Sequence, residues 1–328
     1  MNYEWLEARQ HVLKRPDTYI GPVNVTEISG HIFKENDNGQ IVSQNTSCIA
    51  SPALFKMFDE IITNAIDNSK RSSDQKCIKA NVTNEGVFSC TNDGDTIPIQ
   101  LWENTNRYIP EILFMELMSG ENFKDKREQV GGRNGLGAKI VNLLSSWFLI
   151  EIVNIKDEKK YKQLFRNNSF DVSQPVVSKL TQKDKKSSLT ISWLPDYKRL
   201  GMQLPLQQNI IDLFKTRLYD AAACTNSNIS VFFANTKLAI KNMKDYALIL
   251  GGQWIGKDEI IQNSNTIFEV CLSMAETPSQ SKIVGFCNGL QCSQGTHVEM
   301  IYRRIIEVIN DILKKKLKKT CAIRPQIV

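Results

Sequence analysis

The sequence carries little that would indicate a metal centre or a disulfide scaffold. Its eight cysteines include no Cys-x-x-Cys pair, and no cluster of further ligand-type residues accompanies Cys287 and Cys292. This pattern excludes the common zinc sites and favours reduced thiols inside a cell. The chain has only three histidines, none of them on a paired-helix phosphoacceptor segment. A histidine kinase is therefore disfavoured.

Long apolar runs and secretion signals are also missing. The longest apolar stretch, at 141–153, is interrupted by two serines and Glu151, so the sequence predicts no membrane span. The first ten residues carry two glutamates and an arginine, which is not the pattern of a secretory signal peptide. No Gly-x-Ser-x-Gly motif occurs, so a Ser/His/Asp hydrolase finds no support.

The bulk composition is that of a globular protein. With 328 residues, of which 41% are hydrophobic and 23% charged, the chain is long enough for about two domains and a substantial core. The net charge of +6 allows an anionic partner without requiring one.

One stretch, Ser51–Arg71, has a strong helical pattern. Ser51 followed by Pro52 predicts a helix start, with the serine side chain as the cap and proline at the first helical position. Apolar residues recur at helical spacing and predict a core-facing stripe. These residues are Leu54, Phe55, Phe58, Ile61, Ile62, Ala65 and Ile66.

A second face of the same helix is polar. Glu60, Asn64 and the pair Asp67/Asn68 lie about one turn apart, beside the apolar stripe. One carboxylate with nearby carboxamides can activate a water and complete the shell of a hard cation such as Mg²⁺. The same spacing also occurs on the ordinary polar face of an amphipathic helix.

The segment Asn92–Pro98 follows a strand-like run. A glycine directly after a strand lets the backbone approach a flat ligand, and the side chain just before it can hydrogen-bond the edge of that ligand. Gly94 follows the strand, and Asn92 stands two residues before it. A plain hairpin turn is the alternative.

A glycine-rich loop, Gly131–Lys139, opens an apolar helix. Its glycines expose backbone N–H groups, and the helix from Ala138 directs its positive end to the same place. Lys139 or Arg133 could add charge-assisted bonds to an anion. The loop is not a Walker A motif, because Ala138 precedes the lysine and Ile140 follows it.

Elsewhere, periodicity predicts further strands and helices. The predicted strands are Ile78–Val82, Val87–Cys90, Trp147–Ile155, Tyr161–Arg166, Ser188–Trp193 and Ile283–Cys287. The predicted helices are Pro110–Leu117, Gln207–Ala223, Lys244–Leu250 and a long helix from Val298, and 120–130 is predicted to be a mobile lid.

Three of these segments, in their order along the chain, resemble the GHKL ATP-binding fold, and specifically the ATPase region of eukaryotic-type DNA topoisomerase II, cellular or viral. They are the helix Ser51–Arg71, the segment Asn92–Pro98 and the glycine-rich loop Gly131–Lys139. The resemblance is close around Arg15–Gly21, Phe58–Asn68 and Gly131–Lys139. It implies an α+β fold: a GHKL (Bergerat) sandwich of a mixed sheet with helices on one face over 1–250, including a short N-terminal arm. Part of a smaller α/β transducer domain would follow over 251–328.

The resemblance also implies roles for individual residues. Glu60 would be the general base, Asn64 would hold Mg²⁺, and Asn92 would bind the adenine of ATP. Tyr3, on the N-terminal arm, would touch the nucleotide of a partner subunit, unless it is an ordinary half-buried tyrosine. Further nucleotide contacts are implied for Asn68, Arg71, Asn122, Gly132, Arg133, Asn134, Gly135, Leu136, Gly137, Ala138 and Lys139.

The chain departs from the family pattern at several of these places. Thr96 replaces the second glycine of the Asp-x-Gly-x-Gly motif, Leu136 stands where the family usually has tyrosine, and 120–121 lacks the serines of a Ser-Ser-Asn run. A threonine that the family carries near the active site falls on Leu189. A shift of one residue would place Ser188 or Thr190 there instead.

The function implied is that of the N-terminal ATPase fragment of a type II topoisomerase. It would bind Mg-ATP and close the N-gate dimer with a second copy of itself. In the full-length enzyme it would couple ATP hydrolysis to passage of one DNA duplex through another. The location would be the nucleus if the protein is cellular, and the host cytoplasm or nucleus if it is viral.

One part of the family's hydrolysis machinery is missing from the sequence. The family's Gln-Thr-Lys transducer loop does not occur here and by comparison should lie beyond Val328. We therefore expect ATP binding with slow hydrolysis and weak dimer closure.

Two alternatives share part of this pattern. A heat-shock chaperone or a MutL-type repair ATPase would also carry Glu60, Asn64 and the glycine loop, but the Arg15–Gly21 stretch favours topoisomerase. A basic DNA-binding module with a vestigial nucleotide site is the non-enzyme alternative. The lysine run at 314–319 fits either a DNA-facing surface or the favourable charge at a helix C-terminus.

Overall fold

The computed structural model of the chain describes residues 4–117, 119, 135–250, 252–253, 270–271, 274–275, 283–292 and 295–317. Five residues predicted to touch nucleotide lie outside this part: Tyr3, Asn122, Gly132, Arg133 and Asn134. The predicted lid at 120–130 and half of the predicted transducer domain lie outside it as well.

The described helices are α1 (Ala8–Lys14), α2 (Asp17–Ile20), α3 (Pro52–Arg71), α4 (Ile109–Met115), α5 (Gly137–Leu143), α6 (Gln208–Cys224), α7 (Met243–Ile249) and α8 (Thr296–Leu317). The described strands up to the sixth are β1 (Thr26–Glu35), β2 (Ile41–Ala50), β3 (Cys77–Val82), β4 (Phe88–Asp93), β5 (Ser145–Asn154) and β6 (Lys159–Arg166). The later strands are β7 (Asp171–Val172), β8 (Val176–Lys179), β9 (Ser188–Pro195), β10 (Ser230–Phe233), β11 (Thr236–Lys237), β12 (Gly252–Gln253), β13 (Met274–Ala275), β14 (Phe286–Cys287) and β15 (Leu290–Gln291). None of these helices combines the length and apolarity that a membrane span requires.

The main sheet has the strand order β11-β10-β3-β4-β9-β5-β6-β7, with β8 also pairing β6. Strands β10 and β3 run parallel, whereas the other described neighbours run antiparallel. This confirms the predicted mixed sheet. Strands β7 and β8 were not predicted, because two- and four-residue strands are too short to show a clear alternation.

Helices α3, α5 and α6 pack on one face of this sheet, and their apolar stripes form the core. At its centre Phe88 of β4 stacks on Trp193 of β9, with ring centroids 5.1 Å apart. Phe58 of α3 and Phe214 of α6 lie against Phe88, at 5.8 and 5.0 Å between centroids. This aromatic cluster fixes the distance of α3 from the strands, and α3 carries the polar face with Glu60.

The start of α3 differs in one respect from the sequence expectation. Pro52 does occupy the first turn, but the predicted side-chain cap by Ser51 is wrong. The Ser51 hydroxyl instead donates a hydrogen bond of 2.6 Å to the backbone carbonyl of Val23. The serine therefore ties the helix start to the preceding loop.

A hairpin precedes the long C-terminal helix. Strands β14 and β15 are joined by Asn288 and Gly289, both with positive φ, at 53° and 84°, as a tight two-residue hairpin turn requires. The strand predicted at Ile283–Cys287 is confirmed only for its last two residues, and α8 begins two residues before the predicted Val298.

The aromatic cluster should dominate the stability of this domain. Replacement of the fully buried Phe88 by alanine removes the ring that three aromatic neighbours contact. It should lower the free energy of unfolding by about 3–5 kcal/mol. Urea denaturation measures this loss. The control is Phe170→Ala, whose ring is 60% exposed and whose loss should cost below about 0.5 kcal/mol. Equal losses in the two variants would contradict the assignment of the core.

Candidate functional site

A cavity of about 650 Å³ lies between α3, α5 and strands β4 and β9. Every predicted site residue within the described part of the chain lines it: Glu60, Asn64, Asn68, Arg71, Asn92, Gly135, Leu136, Gly137, Ala138 and Lys139. Residues from positions 60 to 139 therefore meet around one cavity.

Helix α3 supplies the polar floor of the cavity. The side chain of Asn64 is exposed to it and makes no hydrogen bond with the described residues. Asn68 donates from Nδ2 to Oε1 of Gln75 at 2.8 Å, and the buried Gln75 donates in turn to the backbone carbonyl of Ala65 at 3.0 Å. Gln75 thus fixes the orientation of Asn68. Sequence reasoning missed it, because a glutamine in a loop after a helix gives no local signal.

The Glu60 carboxylate is held between α3 and α5. Its Oε1 lies 2.8 Å from the ammonium of Lys56, one turn earlier on the same helix. Its Oε2 lies so close to Gly137 that a Cβ built on that glycine would be 2.0 Å away. Real Cβ contacts do not reach this distance, so only glycine allows the close approach between carboxylate and backbone.

The end of β4 positions Asn92. Asn92 is buried, and the neighbouring Asp93 accepts backbone hydrogen bonds from Lys76 at 2.7 Å and Cys77 at 2.8 Å. The Asp93 carboxylate therefore fixes the start of β3 and does not line the cavity. Gly94 has a φ of +94°, which turns the chain sharply after Asn92 as the sequence pattern predicted.

Thr96 brings a polar group that the family pattern does not have. The residue lines the cavity, and its Oγ1 is buried without a hydrogen-bond partner among the described residues. A buried hydroxyl left unpaired costs about 1–3 kcal/mol. This hydroxyl is therefore an unsatisfied polar group within the wall beside Asn92.

The register of β4 and β9 resolves the threonine position left open by the sequence. Asn92 pairs with Leu189, and Thr91 pairs with Thr190. Leu189 lines the cavity, whereas the Thr190 hydroxyl lies 2.9 Å from that of Thr91 on the opposite face. The side chain facing the cavity at this place is therefore leucine, and the wall is more apolar than the family pattern implies.

Lys139 is buried in the first turn of α5. Its ammonium donates to the backbone carbonyl of Ser119 at 2.5 Å and to that of Gly135. Burial lowers the pKa of Lys139 to about 8, because the charged amine loses hydration. In this structure the amine is thus bound by two backbone carbonyls.

The described residues contain no cluster of three or more His, Cys, Asp or Glu side chains that would hold a metal ion by itself. A cation in this cavity would take few ligands from the protein. Mg²⁺ is commonly held in this way, by one or two side chains together with substrate phosphates and waters.

Comparison with known proteins finds similar chains. The sequence is 33% identical over 338 residues to DNA topoisomerase 2 of Saccharomyces cerevisiae, covering 97% of this chain and 23% of the yeast protein. It is 31% identical over 336 residues to DNA topoisomerase 2 of Acanthamoeba polyphaga mimivirus, covering 99% of this chain and 26% of the viral protein. No family model matches the sequence.

The fold is also similar to a solved structure. The crystal structure of the ATPase region of Saccharomyces cerevisiae topoisomerase II matches with a TM-score of 0.82 at 31% identity, over 95% of this chain and 81% of that chain. The chain thus spans about a quarter of the length of the curated relatives but most of the solved ATPase region.

The buried amine of Lys139 should give stability a specific pH dependence. The unfolded chain keeps this proton up to a pKa near the ordinary lysine value of 10.5, whereas the folded protein releases it near pH 8. Between these values the unfolded state binds more protons, so the folded state gains stability as pH rises. The free energy of unfolding of the unmodified protein should therefore increase between about pH 8 and 10, relative to that of Lys139→Met. A difference that stays constant or falls over this range would contradict the assignment.

Proposed function

The chain belongs to the DNA topoisomerase II family and corresponds to its ATPase region, and we propose that it binds ATP in the cavity between α3 and α5. We further propose that it hydrolyses this ATP on behalf of a type II DNA topoisomerase. The observation that carries the proposal is the position of Glu60. Its carboxylate faces the same cavity as Asn64, Asn92 and the start of the glycine-loop helix.

Glu60 acts as the general base for the attacking water. A base must lie within hydrogen-bond reach of the proton that it removes. The contacts of Glu60 suit this role, because Oε1 is held by Lys56 while Oε2 lies at the backbone of Gly137. Phosphoryl transfer needs mainly positioning and charge stabilisation from the protein, so a carboxylate fixed on both sides is well placed to orient water.

The opposite end of the cavity receives the base of the nucleotide. Asn92 is buried at the strand end, and its carboxamide can both donate to and accept from the edge of adenine. The unpartnered Thr96 hydroxyl is a second polar group in this wall. Leu189 and Ile191 supply the apolar surface on which a flat ring packs.

The polar floor and the loop contact the phosphates. At the start of α5 the Glu60 carboxylate takes the space that a Cβ of residue 137 would need, and the residues from Gly135 to Lys139 place backbone groups around the cavity. Asn68 and Arg71 line the site from the last turns of α3. By family resemblance, Asn122, Gly132, Arg133 and Asn134 complete the site, and Tyr3 reaches the nucleotide of the partner subunit.

Asn64 holds the Mg²⁺ that accompanies ATP. Its exposed carboxamide oxygen, which has no hydrogen bond within the described structure, suits a hard cation that takes most of its ligands from phosphates and water. When bound, Mg²⁺ offsets the negative charge of the phosphates.

The partners follow from the family. Two copies of the chain would close together on ATP, and the complete enzyme would pass one DNA duplex through another. We assign 1–250 to the ATPase domain and 251–328 to part of the transducer domain. Relatives occur in a yeast and in a giant virus, so the site of action is the nucleus for a cellular protein and the host nucleus or cytoplasm for a viral one.

Replacement of the general base should separate hydrolysis from binding. Glu60→Gln keeps the shape of the side chain but cannot take a proton. The hydrolysis rate should fall by about 10²–10⁴-fold, with the Kd for ATP changed by less than about threefold. Single-turnover hydrolysis and calorimetry with and without Mg²⁺ measure the two quantities.

Glu151→Gln is the matched control, since Glu151 pairs with Lys162 on the sheet surface. It should leave both values unchanged. Near-normal hydrolysis by Glu60→Gln would refute the assignment. ATP binding that does not depend on Mg²⁺ would instead favour a vestigial site.

A further inference from the structure

Arg217 joins two segments that lie far apart in the sequence. It stands on α6 with its side chain only 14% exposed. Its Nε donates to Oδ1 of Asp59 at 2.6 Å, and its Nη2 donates to the backbone carbonyl of Gly289 at 2.8 Å. The guanidinium is planar and rigid, so both bonds depend on one orientation of the group. A shift of either partner therefore disturbs the contact with the other.

The Gly289 end of this contact is the tip of the β14–β15 hairpin. A Cβ at Gly289 would lie 3.1 Å from Cγ2 of Ile66, so the tip rests directly on α3. The ring of Phe286, in the same hairpin, meets the edge of Tyr246 on α7 with centroids 5.6 Å apart. The hairpin is thus seated against the helices of the first domain, and its tip carbonyl is bound by Arg217.

The Asp59 end of the contact lies beside the proposed catalytic base. Oδ2 of Asp59 lies 3.3 Å from the ammonium of Lys56, and the same ammonium lies 2.8 Å from Oε1 of Glu60. Consecutive helical residues point about 100° apart, so Asp59 is directed to α6 while Glu60 is directed to the cavity. Lys56 connects the two carboxylates.

We propose that the seating of the β14–β15 hairpin on α3 sets the orientation of the Glu60 carboxylate through Arg217, Asp59 and Lys56. Arg217 is then a positioning residue for ATP hydrolysis, although it contacts neither ATP nor the attacking water. The inference rests on the proposed function, because it requires Glu60 to be the base. It identifies a contact through which the C-terminal part of the chain acts on the hydrolysis step.

A purely structural role for Arg217 gives a different expectation. A buried ion pair that serves only the fold would, when broken, lower stability and reduce the amount of active protein. The rate constant of the remaining folded protein would not change. A positioning role lowers the hydrolysis rate constant of folded, ATP-bound protein and leaves ATP affinity intact.

The first test compares Arg217→Met with Arg199→Met in the whole chain. Arg199 is the matched control, because it also binds a carboxylate and a carbonyl: its Nε lies 3.5 Å from Asp196, and it donates to the Leu13 carbonyl at 2.8 Å. In single-turnover hydrolysis at saturating Mg-ATP, Arg217→Met should be about 10–100-fold slower, with the Kd for ATP within about threefold. Arg199→Met should stay within about twofold of the unmodified rate.

A conservative variant and a double variant make this test more specific. Arg217→Lys keeps the charge beside Asp59 but loses the rigid fork, so its rate should fall between those of Arg217→Met and the unmodified protein. Lys56→Gln should also slow hydrolysis. If both residues act along one path, the double variant should be no slower than the slower single variant. Multiplied effects of the two changes would overturn the proposal.

A second route avoids the buried arginine in case its variants do not fold. Gly289→Ala places a methyl group against Ile66 and strains a residue with φ of +84°, which should lift the hairpin tip and slow hydrolysis. Gly39→Ala is the matched control, because Gly39 has a φ of +74° in the β1–β2 turn and its Cβ would meet nothing closer than 3.5 Å. It should leave the rate unchanged.

The outcomes separate this inference from the proposed function. If the unmodified chain binds no ATP, or if Glu60→Gln hydrolyses ATP at the normal rate, the proposed function is refuted. This inference, which depends on it, is then refuted as well. If Glu60→Gln is inactive while Arg217→Met and Gly289→Ala hydrolyse at the unmodified rate, only the inference is overturned.

Discussion

The close approach of the Glu60 carboxylate to the backbone at Gly137 is the constraint on which the site depends. The two groups come from different helices, and a methyl group at position 137 would be 2.0 Å from Oε2. Any residue with a Cβ at position 137 would therefore have to displace the Glu60 carboxylate from the position that it holds. That approach places the one carboxylate of the polar floor beside the loop, and it leaves the cavity open towards β4 and β9.

Buried polar contacts hold this arrangement together from several directions. Asp93 fixes the start of β3, and Gln75 orients Asn68. Arg217 donates hydrogen bonds to both Asp59 and the tip of the β14–β15 hairpin. Removing one partner of such a contact leaves a buried group unsatisfied, which costs far more than the net contribution of the bond itself. Around this cavity the polar network fixes geometry, whereas the buried apolar core, with the Phe88 cluster at its centre, supplies hydrophobic stabilisation.

Local patterns together with the family resemblance predicted a set of residues that line one cavity. The 3.6-residue period places Glu60 and Asn64 on one face of α3, and the strand–glycine junction places Asn92 at a strand end. Counting residues did not decide between Ser188, Leu189 and Thr190, because a shift of one residue reverses which side of a sheet a side chain faces. The cap predicted for Ser51 is wrong and Arg217 was not singled out, because their partners, Val23 and Gly289, come from segments that only the three-dimensional fold brings near.

The most direct test of the central claim is a crystal structure of the protein with Mg²⁺ and a non-hydrolysable ATP analogue. We predict that the terminal phosphate lies opposite the Glu60 carboxylate, that the adenine ring lies at Asn92, and that the phosphates lie against the backbone that begins α5. A nucleotide bound elsewhere, or a Glu60 side chain turned away from it into the core, would refute this prediction.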